Sequence, residues 1–494
     1  MKKINSLILL INSLSKSEKK LIDLHSNLTK GKKVYMELFS LINKQKITDS
    51  TELQQEFQRL FSNASFHPVA NYLYDFILNI LVRIKVNQDK EFSLYQKLMM
   101  AKILEERSLD EEYYDMLEQL KHDANEIHNY NLTLTVQRME LEYLRTNEFL
   151  DTTEKDLTSK QHKTNETIKI LRQMHEQSAL YELLLLRTQK NKSIQLEKDK
   201  KSLNDLVVSE ISLTSNLNRE IFEIQKMHQL FQAQYLIHVG DYKSALNSFI
   251  ELDNLFSKNK QQWRNPPTYY ARVLEGVLAS LSGVKAYDKM QYFLDRLENL
   301  KDASIPFQTE IACVRFIYTI IPHLDKKEYG ICKRKIEQFD KELISKIDIL
   351  TPYRYLQLSL YLAVIHLYNK ELIKARKQVA PIINSDAYAG LSLFRPIQIL
   401  NLVIQYELKD FDIITSQTRS IKRLNRIQKT SSRLEDIFFH FLGTDLISQT
   451  PRKKESLIKK INTEFDLIEI HNEDKTLLSI FDIKGWMLKY LGQH

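Results

Sequence analysis

The scarcity of chain breakers constrains this sequence more than any other feature. Its 494 residues include nine glycines and nine prolines, against usual shares of about 7% and 5%. Sandwiches, propellers and most α/β folds need many tight turns or glycine-rich loops, so they are excluded. What remains is an all-α fold of about twenty long helices with few short breaks. The breakers are also unevenly placed. Between Gly31 and Gly240 only Pro68 occurs, and eight of each type follow residue 239. Apolar residues make up 43% and charged residues 27%, a balance that forms a core without reading as disordered or membrane-bound.

No stretch reaches the ~18 apolar residues of a membrane span. At the N-terminus Ile4, Leu7, Ile8, Ile11 and Leu14 follow helical spacing, and no A-x-A site comes after them, so the run reads as an amphipathic helix rather than a cleaved leader. The two cysteines, Cys313 and Cys332, form no framework and no CxxC, which points to a reducing cytoplasm. His175-Glu176 begins like a zinc helix, but Ala179 stands where the second histidine belongs. Phosphate-binding glycine loops and GxSxG are absent, and the acids lie in runs on polar faces. No cofactor, no metal and no catalytic residue is therefore expected.

The second half repeats. A polar break is followed by an aromatic or leucine, a small or apolar residue three positions on, and an apolar residue seven beyond that. Gly240-Asp241-Tyr242 leads to Ala245 and Leu252, Lys285-Ala286-Tyr287 to Met290 and Leu297, Lys327-Glu328-Tyr329 to Cys332 and Phe339, Lys370-Glu371-Leu372 to Ala375 and Ile382, and Lys409-Asp410-Phe411 to Ile414 and Ile421. The turn residues lie 45, 42, 43 and 39 positions apart. Asn147-Glu148-Phe149 with Thr152 is a fainter upstream match. The polar break suits a helical hairpin turn, the aromatic fills the gap beside it, and the small residue lets the second helix approach the first. A single hairpin cannot bury its apolar face, so such hairpins stack.

The segment Gly240-Asp241-Tyr242-Lys243-Ser244-Ala245-Leu246, followed by Phe249, resembles the second half of a tetratricopeptide (TPR) repeat. The resemblance covers about residues 226–430. It implies a right-handed superhelix of antiparallel hairpins, a TPR-like α-solenoid, with a concave groove that binds proteins. The family's small residue in the first helix is matched by Ala233 and Ala363, while Leu278, Ile320 and Leu402 replace it elsewhere. The closing proline is missing, and the spacing exceeds the family's ~34 residues. Projected onto this chain, the family's groove positions fall at Gln234, His238, Arg272, Tyr318, Tyr361, Tyr368 and Tyr406. Tyrosines supply stiff amphipathic area for peptide recognition; burial in the core is the competing reading. The organisation expected is a helical domain at 1–90, a long-helix region at 91–225 that either stands apart or continues into the solenoid, repeats at 226–430 and capping helices at 431–494. Trp486 is expected to seal the C-terminal core, and Trp263 to pack under a loop.

Charge is polarised. Net charge is +8, and residues 419–460 alone carry eleven Lys and Arg against four acids, a net +7. Arg419, Lys422, Arg423, Arg426, Lys429 and Arg433 fall within a ~120° arc of one helix, opposite Ile421, Leu424 and Ile427. This stripe suits an acidic protein or phosphates, and a solvated outer face is the alternative. No aromatics interleave it, which disfavours single-stranded nucleic acid. Residues 105–126 carry nine acids against Arg107 and Lys121, a net −7, so opposite poles could pair within or between molecules. The expectation is a cytoplasmic, non-enzymatic scaffold holding a protein or peptide partner, with an acidic partner steered by the basic stripe. The alternative is a nucleic-acid-associated regulator using the basic face at 419–460, although residues 1–90 offer no helix-turn-helix.

Overall fold

The computed structural model describes residues 2–27, 33–45, 50–190, 196–214, 220–263, 267–300, 304–428, 432–444, 450–471 and 475–492. Among these the chain is 84% helical, with twenty-four α-helices and no strand. None of the helices is long and apolar enough to cross a membrane. Helices pack mainly against their neighbours in sequence. One apolar core lies within Ile4–Ile84 and includes the amphipathic N-terminal run. A small one joins Leu94 to Val136, a third runs from Leu180 to Tyr318, and a fourth from Ala312 to Leu491. The last two cores cross positions 225 and 430, so packing is continuous over both expected boundaries.

The breaks after residue 239 share one local geometry. Gly240, Lys285, Lys327, Lys370 and Lys409 adopt left-handed φ angles of 83°, 58°, 58°, 59° and 64°. The next residue's N–H then reaches back five positions. Asp241, Ala286, Glu328, Glu371 and Asp410 donate to the carbonyls of Leu236, Leu281, His323, His366 and Gln405 at 2.7–3.0 Å. This is the Schellman closure of a helix end. The following helix or 3₁₀ turn starts at Tyr242, Tyr287, Tyr329, Leu372 and Phe411. The same closure occurs upstream at Ser108, His128 and Glu148, so the turn geometry extends beyond the span read from sequence.

Burial follows the repeat columns. Ala245, Met290, Cys332, Ala375 and Ile414 are all buried, as are Ala233, Leu278, Ile320, Ala363 and Leu402 on the preceding helices. Phe222–Val239, Thr268–Gly283, Ile305–Asp325 and Pro352–Tyr368 each touch the next of the series, which ends at Phe394–Glu407, and all five touch their hairpin partners. The turn residue of one hairpin meets the next hairpin at a fixed place, two positions before its left-handed residue. The Tyr242 ring lies against Gly283. The Tyr287 hydroxyl donates to Asp325 at 2.7 Å. Tyr329 stacks on Tyr368 with centroids 4.0 Å apart and planes 7° apart.

Lysine in the left-handed region costs about 1 kcal/mol, which glycine avoids. Lys327→Gly, Lys370→Gly and Lys409→Gly are each expected to stabilise the protein by about 0.5 kcal/mol once glycine's greater unfolded-state entropy is deducted. Urea midpoints check this, and a loss at all three sites would contradict the turn assignment.

Ion pairs link successive hairpins. Lys333 Nζ reaches Glu371 at 2.7 Å, and one repeat later Arg376 reaches Asp410 at 3.6 Å. Hydrogen bonds from Lys333, then from His366, hold the Glu371 carboxyl down at about 2, against an ordinary value of 4.5. Because the folded value is depressed, this stabilisation is complete above pH ~4.5 and drains away as pH falls toward ~2. Glu371→Gln is expected to lower stability at pH 7 by about 1–2 kcal/mol and to flatten its acid dependence, as read from melting curves at pH 7, 4 and 2.5.

Candidate interaction surfaces

The seven projected groove positions do not form one open groove. Gln234 and His238 are half-buried on Phe222–Val239, and Arg272 is exposed over the Tyr269 ring. Tyr318 and Tyr361 are buried. Nearby, Arg354 reaches from Pro352–Tyr368 to Glu275 on Thr268–Gly283, pairing at 2.7 and 2.5 Å, and to Glu310 at 3.4 Å. Its charge is thus shared between two helices of earlier hairpins. Burial dominates the environment of both tyrosines and drives their hydroxyls upward.

Tyr368 and Tyr406 are covered by a later part of the same chain. The Asp482 N–H donates to the Tyr368 hydroxyl at 3.1 Å, and the Phe481 ring lies 5.5 Å away. Tyr406 meets Trp486 and Tyr490 edge-on at 5.2 and 5.0 Å. The indole N–H of Trp486 and the Tyr490 hydroxyl both donate to Glu407, at 2.7 and 2.8 Å. Trp486 also packs on Phe438 and Phe441, which closes this end of the core. Trp263 donates to the Phe256 carbonyl at 2.9 Å and packs on Tyr270; Arg264 to Pro266 lie outside the described residues.

The basic stripe is exposed on Phe411–Gln428, with two changes from expectation. Arg419, Lys422, Arg423 and Arg426 are exposed, with the Lys422 ammonium 5.7 Å over the Phe439 ring, and none has an ion-pair partner among the described residues. Lys429 lies outside those residues. Arg433 begins a separate helix, capped by Ser432 with Glu435, and pairs with Glu464 at 3.8 Å. The capping box ends any single helix through 433. The side opposite the cations is also not simply core. Ile421 is buried, but Leu424 is 46% and Ile427 72% exposed, as is much of Phe411 and Ile413. The inward line is Ile414, Ile421 and Asn425, whose side chain accepts from Arg395 and donates to Glu435, both at 2.6 Å. A buried, satisfied asparagine replaces the leucine that periodicity favours.

Positive charge continues across the neighbouring helices. His440, Thr444, Lys453, Lys454, Ser456 and Lys460 line a shallow cleft. Burial, then Lys460 and Lys422, hold the His440 imidazole below its usual value. A second depression on Phe411–Gln428 is lined by Asp412, Ser416, Arg419 and Arg423.

The acidic segment is compensated only toward its C-terminal end, where Glu118 pairs with Lys121 and Asp123 with Lys97. Glu105, Glu106, Asp110, Glu111, Glu112 and Asp115 are exposed and make no ion pair among the described residues. Beside them lies a surface not singled out from the sequence. On Lys90–Glu106 the side chains of Phe92, Tyr95, Met99, Met100 and Ile103 are all exposed. Their spacing puts them on one face, away from Leu94, Leu98 and Ala101. Reading that helix for two apolar faces would have found them.

Among the described residues no group of three His, Cys, Asp or Glu is placed to hold a metal ion. Comparison with protein-family models, with curated proteins and with solved structures yields no match to this chain.

Proposed function

We propose that this chain is a non-enzymatic protein-interaction scaffold, a TPR-like helical stack that docks an acidic amphipathic segment of a protein partner on its basic face. The observation that carries this reading is the surface of Phe411–Gln428, where four cations with no ion-pair partner among the described residues adjoin exposed Leu424 and Ile427, one of them, Lys422, resting over the Phe439 ring. Such a face offers charge for steering and apolar area for affinity. The recurrence of one turn and one buried column in successive hairpins supports the stacked architecture. The projected groove is a poorer candidate, because Tyr318 and Tyr361 are buried and residues 477–491 cover Tyr368 and Tyr406. We place the chain in a reducing cytoplasm. Burial raises the Cys313 and Cys332 thiols to about 12 and 11, as suits unreactive core cysteines.

The test is binding of an acidic amphipathic helical peptide to the full chain. Arg419→Glu with Arg423→Glu and Arg426→Glu is expected to weaken binding by roughly a hundredfold, at ~1 kcal/mol per reversed charge. Unchanged affinity would reduce the stripe to solvated surface. Duplex and single-stranded nucleic acids serve as competing ligands. Tight binding that falls steeply and linearly with log salt, with no requirement for Leu424 or Ile427, would favour the nucleic-acid reading instead.

A further inference from the structure

We infer that the acidic partner of the basic face is a second copy of this chain, joined head to tail through the surface at Lys90–Glu106 and the start of Asp110–Glu126. This rests on the proposed use of Phe411–Gln428 as a docking face.

The two surfaces match in three respects. In charge, residues 105–126 carry a net −7 and residues 419–460 a net +7. The named acids and cations at the centre of each surface are exposed and make no ion pair among the described residues. In apolar pattern, each charged ridge adjoins exposed large side chains. Met99 and Ile103 are 57% and 54% exposed on one helix, and Leu424 and Ile427 stand out on the other. A helix apolar on its outward face as well as its inward one is ordinarily covered. In length, the helices have 17 and 18 residues, about 25 Å each at 1.5 Å per residue, so one can lie along the other.

Charge also limits the kind of symmetry. A basic face does not pair with its own copy, so the acidic surface of one molecule meets the basic surface of the next. The two contacts either close reciprocally in a two-fold dimer or, where one excludes the other, leave a free face of each sign and continue into a ring or an open filament. A contact built on a single helix pair with exposed charges is weak and sensitive to salt.

Sedimentation velocity on the full chain is the test, at ~50 mM and ~500 mM salt, where screening lengths differ about threefold. A dimer or larger species is expected at low salt, reverting to monomer at high salt. Two variants each disable one face. Arg419→Glu with Arg423→Glu and Arg426→Glu removes the basic face, and Met99→Asp with Ile103→Asp removes the apolar strip while leaving the acids. Both replace exposed side chains, and circular-dichroism melting verifies that they fold. Each alone is expected to stay monomeric. An equimolar mixture is expected to form a complex of two chains and stop there, because one intact acidic face and one intact basic face remain. A wild-type monomer at both salts, a mixture that stays monomeric, or assembly that survives both variants would overturn the inference. If the chain remains monomeric yet binds the acidic peptide through Arg419, Arg423 and Arg426, self-assembly is lost while the scaffold reading stands. If neither occurs, both fall.

Discussion

Replacing Arg296 with methionine is expected to cost about 3 kcal/mol of stability. Its guanidinium holds Asp253 with two bonds, at 2.5 and 2.7 Å, and also donates to the Tyr270 hydroxyl. Tyr270 in turn donates to Asp253 at 2.8 Å. The three residues sit on Met290–Glu298, Tyr242–Lys258 and Thr268–Gly283, so the network joins one hairpin to the next. Asp253 is buried, and removing its cation leaves a carboxylate with only a phenol to satisfy it. Breaking such a pair from one side costs about 3–5 kcal/mol when burial is complete. Arg296 retains a quarter of its side-chain exposure, which lowers the figure toward the bottom of that range. Asp253→Leu combined with Arg296→Met should recover part of the loss, because an apolar replacement of the whole pair leaves no stranded charge. Urea unfolding of both single variants and the double variant measures the coupling. A loss below ~1 kcal/mol for Arg296→Met would show that the carboxylate is solvated.

Gly276→Ala is expected to destabilise by about 1 kcal/mol, against the usual sign for a helix. An exposed glycine inside a helix gains about 1 kcal/mol on becoming alanine. At Gly276, however, an added Cβ would come 2.2 Å from a ring carbon of Phe249. Phe249 is buried in the core and cannot swing into solvent, so the helix Tyr242–Lys258 must move outward. Overpacking of this kind costs about 1–3 kcal/mol, and its mid-range of about 2 outweighs the propensity gain by about 1. Gly283, seven positions on, faces the Tyr242 ring at the same 2.2 Å. The atoms met there are Cγ and Cδ at the root of the Tyr242 ring, which cannot swing clear without moving its helix, so Gly283→Ala should cost a similar amount. Loss at both sites in thermal melts is the expected result. Stabilisation at both sites would show that these helices are not in close contact.

The features legible in the sequence are those fixed by local chemistry. A helix must end where a left-handed residue and a capping side chain follow one another, so Gly240-Asp241 marks a turn without reference to the rest of the chain. The columns through Ala245 and Ala233 are visible because a buried apolar residue, small in some hairpins and larger in others, recurs at each crossing. Features set by distant contacts were not legible. Tyr361 fits a groove position on its own helix, yet Arg354 on that helix pairs with Glu275, which is 79 residues away. Tyr406 is covered by Trp486 and Tyr490 from the last described helix. The exposed side of Phe411–Gln428 was misjudged for a related reason. Leu424 and Ile427 look like core by hydropathy, but Arg395 and Glu435 satisfy Asn425 and draw that side inward instead.

Distances along one edge of the stack test the repeated-hairpin account most directly. Lys285, Lys327, Lys370 and Lys409 occupy the same turn position in successive hairpins. Cys313 and Cys332 are fully buried, so cysteines placed at those lysines can be spin-labelled selectively. Pulsed electron–electron resonance is expected to give similar separations for 285 with 370 and for 327 with 409, near 20 Å at about 10 Å per hairpin. The pair 285 with 409 should be longer, near 30 Å less the curvature of the stack. A 285–409 separation shorter than either of the others would mean that these turns do not line one edge, and the equivalence of the hairpins would be lost.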